Sequence, residues 1–192
     1  MRNIAVFVSG NGTNFENITR HLSDNQTARV ALMVSNKDDA YALTRAERLG
    51  VEAIVWKKAD FADERRTMEM LRSHGIDFIV LAGFLLMIPQ YLIKHFDHRM
   101  LNIHPSLLPK YGGKGMYGRH VHEAVKANGE TTTGITIHYV SEECDGGDIL
   151  RQETTPLDPT DTPDDIARKV HEREKEYFPQ TILDIIEKQQ WQ

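Results

Sequence analysis

The chain has 192 residues, 40% hydrophobic and 27% charged, with a formal net charge of −5 and one cysteine. That length suits one compact domain or a tightly fused pair. The lone cysteine excludes a disulfide framework and fits a reducing cytoplasm, no apolar run approaches the roughly 20 residues of a membrane span, and mild acidity argues against a general nucleic-acid binder.

Ile4–Val8 is a continuous apolar run, as expected of a strand covered on both faces. The run is too short for a signal peptide and lacks a small-residue cleavage site. Phe15, Ile18 and Leu22 then recur at helical spacing. Val30–Val34 predicts a second strand, and Tyr41–Leu49 a helix with Gly50 just past its end. Ala53–Trp56 predicts a third strand. Asp60 is the expected cap of the next helix, which Gly75 ends, and Phe78–Ala82 is the fourth and most apolar strand.

The second half reads differently. Leu101–His104 is a short strand running into Pro105, and Leu107–Gly118 is an aperiodic loop rich in Gly, Pro, Lys and Tyr. A helix is expected over His120–Ala127, then strands over Gly134–Val140 and Ile149–Thr155 that pair as a hairpin. Thr162, Pro163 and Asp165 mark the start of a long final helix with an apolar stripe through Ile166, Val170, Tyr177 and Ile182. Pro179 is expected to kink or split it. The whole predicts an α/β, Rossmann-like, doubly wound domain whose sheet is mainly parallel, with an antiparallel strand in the C-terminal half.

Three motifs carry chemistry. Ser9–Asn14 joins the first strand to the first helix, where glycines admit a ligand to the backbone and unpaired N–H groups face an anion. It fits a dinucleotide fingerprint poorly: Phe15 stands at the third glycine, and the second strand ends in Ser35-Asn36 rather than an acid. A phosphate monoester suits it better, although an ordinary tight turn would look the same. Asn102 and His104 sit two apart on a strand, so both project from one face, an amide beside an imidazole at a strand end. That pair suits a developing oxyanion and proton handling; a structural histidine before a proline turn is the plain alternative. In Glu143–Asp148, a carboxylate before Gly146-Gly147 can orient an imidazole or a water, or be a solvated turn acid. Cys144 lacks the surroundings of a reactive thiolate. His120 and His122 point to different sides of a helix, and His95 with His98 lacks further ligands, so no metal site is expected.

Taken together and in this order, Ser9–Asn14, Leu81–Phe84, Asn102–Pro109, Gly134–Val140 and Asp145–Gly147 resemble the phosphoribosylglycinamide formyltransferases, from first strand to last helix. The resemblance implies formyl transfer from 10-formyltetrahydrofolate, as co-substrate and without a metal, to the amine of 5-phosphoribosylglycinamide in purine biosynthesis. It places catalysis on Asn102, His104 and Asp145. Substrate binding falls on Gly10, Asn11, Gly12, Thr13, Asn14 and Glu174, and folate binding on Phe84, Leu85, Leu86, Met87, Ile88, Val140 and Asp145. Many members carry Arg where this chain has Leu86; the exchange matters little if backbone groups hold the pterin, whereas an Arg contact to the folate tail would be lost. Lys114 and Arg119, in and after a divergent loop, are candidates for that tail or the substrate phosphate. The same likeness implies a single domain over 1–192, with roughly 1–100 binding the ribotide and roughly 101–192 holding catalysis and folate. Only small-molecule partners are expected, with no nucleic acid and no membrane.

Two similar families bring extra domains: methionyl-tRNA formyltransferases a C-terminal RNA-binding one, formyltetrahydrofolate hydrolases an N-terminal regulatory one. A first strand at residue 4 and a last helix near the end leave room for neither. The hydrolase, and a non-catalytic nucleotide-binding module on the same fold, are the alternatives.

Overall fold

The computed structural model describes residues 1–189. Seven strands form one sheet: β1 (Arg2–Val8), β2 (Ala28–Ser35), β3 (Glu52–Val55), β4 (Phe78–Leu81), β5 (Met100–His104), β6 (Thr132–Tyr139) and β7 (Ile149–Pro156). Their order is β3-β2-β1-β4-β5-β6-β7. Pairing is parallel from β3 through β5, whereas β6 runs antiparallel to both β5 and β7. The expected antiparallel strand is therefore β6.

Among the described residues seven helices accompany the strands: α1 (Thr13–His21), α2 (Tyr41–Leu49), α3 (Lys58–Phe61), α4 (Glu64–Ser73), α5 (Gln90–His95), α6 (Arg119–Ala127) and α7 (Pro163–Lys188). Alternation along β1 shows how they share the sheet. Ile4, Val6 and Val8 enter one core with Phe15 and Ile18 of α1, Ala42 and Ala46 of α2, Val121 of α6 and Phe178 of α7. Ala5 and Phe7 enter the opposite core with Phe61 of α3, Leu71 of α4 and Leu92 of α5. Both faces of the central strands are buried, which is why they read as unbroken apolar runs.

Three local details depart from the sequence reading. Asp60 does not cap the helix after β3; it lies inside the short α3, where its Oδ2 accepts from Lys57 N. The cap is Asp63, whose Oδ1 accepts from Arg66 N at 3.0 Å. Both aspartates suit a helix start, and only tertiary packing chooses between them. The short α5 was not foreseen. Pro179 does not split α7, which runs unbroken past it. Proline deprives the Lys175 carbonyl of its helical donor, and Asn17 of α1 donates to that carbonyl instead, at 2.9 Å.

Candidate active site

Strand order reverses direction between β1 and β4, where Ser9 N donates to Gly83 O at 3.0 Å. A crevice at the carboxyl ends of strands is where open α/β sheets bind ligands. Helices α3–α5 cover one face over β1, β2 and β4. On β5 and β6 that same face turns polar, carrying Asn102 and His104 opposite His138 and Thr136.

Asn102 pairs across the strands with His138, and its Nδ2 lies 3.1 Å from His138 Nε2 and 3.4 Å from Asp145 Oδ1. His138 Nδ1 sits 2.8 Å from Tyr139 O. A carbonyl only accepts, so Nδ1 carries the proton and Nε2 accepts from the Asn102 amide. The same logic fixes His104: its Nε2 lies 2.7 Å from Tyr111 O and so donates, leaving Nδ1 facing Asp145 Oδ2 at 3.4 Å. Asp145 Oδ2 also accepts from Gly113 N at 2.9 Å. The Asp145 turn folds tightly onto β6 because Gly147 has no side chain; a Cβ there would lie 1.8 Å from Tyr139 O. Asp145 itself adopts a left-handed φ of 55°, which Asp tolerates better than most residues.

Burial shifts both ends of this network. His104 is 4% exposed, and desolvation pushes its imidazole below the usual histidine value against the opposing pull of Asp145. Burial works against charge on Asp145 too. There His138, the His104 ring and the Gly113 N–H outweigh it and hold the carboxyl below its usual range. Burial and the Asp145 carboxylate push the exposed Cys144 thiol up, which suits a bystander.

The Ser9–Asn14 loop leads into α1. Gly12 has φ 77°, and a Cβ on it would meet Ala42 Cβ at 2.7 Å. Arg45 of α2 steadies the loop from outside: its Nε donates to Asn11 O at 2.8 Å and its Nη2 to Asn11 Oδ1 at 2.6 Å, while Nη1 pairs with Glu16. Asn14 Nδ2 donates to Glu174 Oε2 at 3.0 Å, and His171 Nδ1 lies 3.0 Å from the same oxygen. Asn14 Oδ1 is buried without a partner among the described residues.

Phe84, Leu86, Ile88 and Val140 join the core beneath α3–α5, whereas Leu85 and Met87 expose 47% and 62% of their surface. Leu85 N donates to Ser9 Oγ at 2.8 Å, tying this segment to the Ser9–Asn14 loop. Arg119 pairs with Glu123 and Asp164. Among the described residues no group of three His, Cys, Asp or Glu could hold a metal ion.

The structure thus joins Asn102, His104 and Asp145 directly, and Asn14 to Glu174. Sequence reasoning missed one member. His138 shares the alternation of Thr136, but only the β5–β6 register shows that it meets Asn102. His122, read as structural or solvated, is buried with Nδ1 unpartnered among the described residues. Desolvation lowers its pKa, and it feels the charges of Glu174 and His104.

The family profile described as Formyl transferase matches residues 2–182. The chain is similar to the chloroplastic phosphoribosylglycinamide formyltransferase of Arabidopsis thaliana, with 43% identity over 92% of this chain and 63% of that protein. It is also similar to the Bacillus subtilis phosphoribosylglycinamide formyltransferase, at 35% identity over 97% and 95%. It spans 63% and 60% of the length of the two plant relatives it matches. Among solved structures, glycinamide ribonucleotide transformylase 1 from Symbiobacterium toebii superposes with a TM-score of 0.87 at 32% identity, covering 97% of this chain and 88% of that one. By profile, sequence and fold, this chain belongs to the formyl transferase family, among its phosphoribosylglycinamide formyltransferases.

Proposed function

We propose that the protein transfers the formyl group of 10-formyltetrahydrofolate to the amine of 5-phosphoribosylglycinamide, a step of purine biosynthesis. The observation that carries this reading is the convergence of Asn102 and His104 on one carboxylate: Asn102 donates to Asp145, His104 Nδ1 faces it at 3.4 Å, and backbone carbonyls set the tautomers of His104 and His138. A nucleotide-binding module without chemistry has no use for such a group. The names of the relatives favour the transferase over the hydrolase.

The ribotide phosphate is assigned to Gly10–Asn14, where backbone N–H groups open α1, and its ribose hydroxyls to Glu174. The orphaned Asn14 Oδ1 is an acceptor suited to a substrate N–H or O–H. Phe84–Ile88 and Val140 wall the folate ring, with Leu85 and Met87 as its exposed apolar surface. Attack of the neutral amine on the formyl carbon places negative charge on one oxygen. Asn102 and His104 project from one face of β5, so the oxygen settles between them. The Asn102 amide exchanges its longer bond, to Asp145, for that oxyanion. Each such donor contributes on the order of 10²–10³ in rate. His104 starts neutral; the proton shed by the attacking amine reaches its Nδ1 through water, and the imidazolium so formed pairs with Asp145 and donates to the oxyanion. Through water, Asp145 then relays the amine proton to the departing folate nitrogen, worth about 10²–10⁴. No covalent enzyme intermediate is required. We place the reaction in a reducing compartment, the cytoplasm, on the free thiol of Cys144.

The test is Asp145→Asn. Turnover should fall by about 10²–10⁴ with the ribotide KM nearly unchanged. Turnover close to that of the unmodified protein would remove Asp145 from the mechanism.

A further inference from the structure

The loop after β5 grips both His104 and Asp145 through its backbone. His104 Nε2 donates to Tyr111 O at 2.7 Å, and Gly113 N donates to Asp145 Oδ2 at 2.9 Å. Just before them, the fully buried Ser106 donates from Oγ to Lys110 O at 2.7 Å. Lys110, Tyr111 and Gly113 thus fix where the imidazole and the carboxylate meet.

Tyr111 makes its contact from an unfavourable backbone. Its φ is 58°, in the left-handed region, where a bulky residue persists only when its surroundings hold it. The hold lies at the far end of the side chain. Tyr111 Oη donates to Glu130 Oε1 at 2.9 Å and accepts from Asn128 Nδ2 at 3.0 Å. Lys110 Nζ donates to the same Glu130 oxygen at 2.8 Å. Lys110 and the Tyr111 hydroxyl hold the Glu130 carboxyl below its usual range, so the phenol meets an ionised acceptor. Asn128 and Glu130 themselves stand on a fixed turn at the end of α6. There Gly129, at φ 63°, donates from N to Lys126 O at 3.0 Å, and Glu130 N donates to Val125 O at 3.3 Å. The Tyr111 ring also packs against the core, which a phenylalanine would do equally well. The two hydrogen bonds of the hydroxyl are what distinguish a tyrosine here.

We propose that Tyr111 is a positioning residue for the reaction: its hydroxyl, anchored to Glu130 and Asn128, keeps its backbone turned so that its carbonyl meets His104 Nε2 and the following Gly113 N–H meets Asp145. Nε2 thereby keeps its proton, and Nδ1 stays free to face Asp145 and the reacting centre. Without the hydroxyl the backbone at Tyr111 relaxes toward negative φ, the carbonyl swings off Nε2, and the ring loses its fixed tautomer. The effect on rate rests on the formyl-transfer reading; the effect on the imidazole does not.

Tyr111→Phe tests it, since the variant removes one oxygen and keeps the packing of the ring. NMR of the neutral His104 ring should show a protonated Nε2 and a bare Nδ1 in the unmodified protein. In Tyr111→Phe the two nitrogen resonances should move toward one another as the tautomers interchange. Turnover should fall by about tenfold to 10²-fold, with the ribotide and folate KM values nearly unchanged. Glu130→Gln keeps an acceptor for the phenol and should retain most of the rate and the ring signature, whereas Glu130→Ala should repeat the Tyr111→Phe defect. A lower Tm in Tyr111→Phe with kcat and the His104 resonances unmoved would overturn the proposal and leave the hydroxyl a purely structural contact. Equal behaviour of Glu130→Gln and Glu130→Ala would overturn it too. Shifted His104 resonances in a protein that transfers no formyl group in any form would instead overturn the reading of the reaction and leave the positioning role standing.

Discussion

Asp145 pulls the His104 imidazole toward its charged form, and burial pulls the other way and prevails. Desolvation lowers the His104 pKa while the Asp145 carboxylate, 3.4 Å away, raises it. Histidine Nε and Nδ resonances followed by NMR should therefore titrate at His104 below the usual value of about 6.5. In Asp145→Asn the midpoint should move lower still, because the pull of the nearest carboxylate is gone. A midpoint that rises in the variant would contradict the coupling. The sign for stability follows. A depressed histidine pKa means that the unfolded chain binds more protons, so the neutral buried ring costs nothing above about pH 6.5 and destabilises as pH falls below it. Gly12 makes a separate demand. Its positive φ and its contact with Ala42 leave no room for a side chain. Gly12→Val should raise the ribotide KM well beyond any change in the folate KM, and equal effects on both would count against the phosphate assignment.

Helix α7 supplies Glu174 from the middle of its 26 residues, so its start and its course matter to the site. Thr162 Oγ1 accepts from Asp165 N at 3.2 Å, and Asp165 Oδ2 accepts from Thr162 N at 3.0 Å. Thr162→Ala should cost about 1 kcal/mol, or roughly 2–4 °C in Tm by differential scanning calorimetry. An unchanged Tm would mean the box adds nothing to the folded state. This capping box was legible in the sequence, because it needs only neighbours in the chain. The central strands were legible for the same kind of reason: burial on both faces leaves an apolar run. Asp60 and Asp63 were not separable, since either could cap a helix and the choice lies in how α3 packs. The unbroken passage of α7 through Pro179 was not legible either. It depends on Asn17, 158 residues away, reaching the freed Lys175 carbonyl.

Across the whole molecule, the sheet does what no single motif can. Reversal of β6 relative to β5 brings His138 opposite Asn102, and the return from β6 to β7 swings Asp145 back over both. Asn102 and His104 were legible as a pair on one strand face, but their third and fourth partners come from another strand and its turn. Register and strand order fixed those meetings, and neither leaves a mark in local sequence. Charge is likewise uneven: an acidic chain has its proposed phosphate site at the α1 N-terminus. The central claim is that this arrangement moves a formyl group to a ribotide amine. Its most direct test is spectroscopic turnover of 10-formyltetrahydrofolate with and without 5-phosphoribosylglycinamide. Turnover that requires the ribotide and yields its formylated amine is the predicted result; folate turnover independent of the ribotide would contradict it.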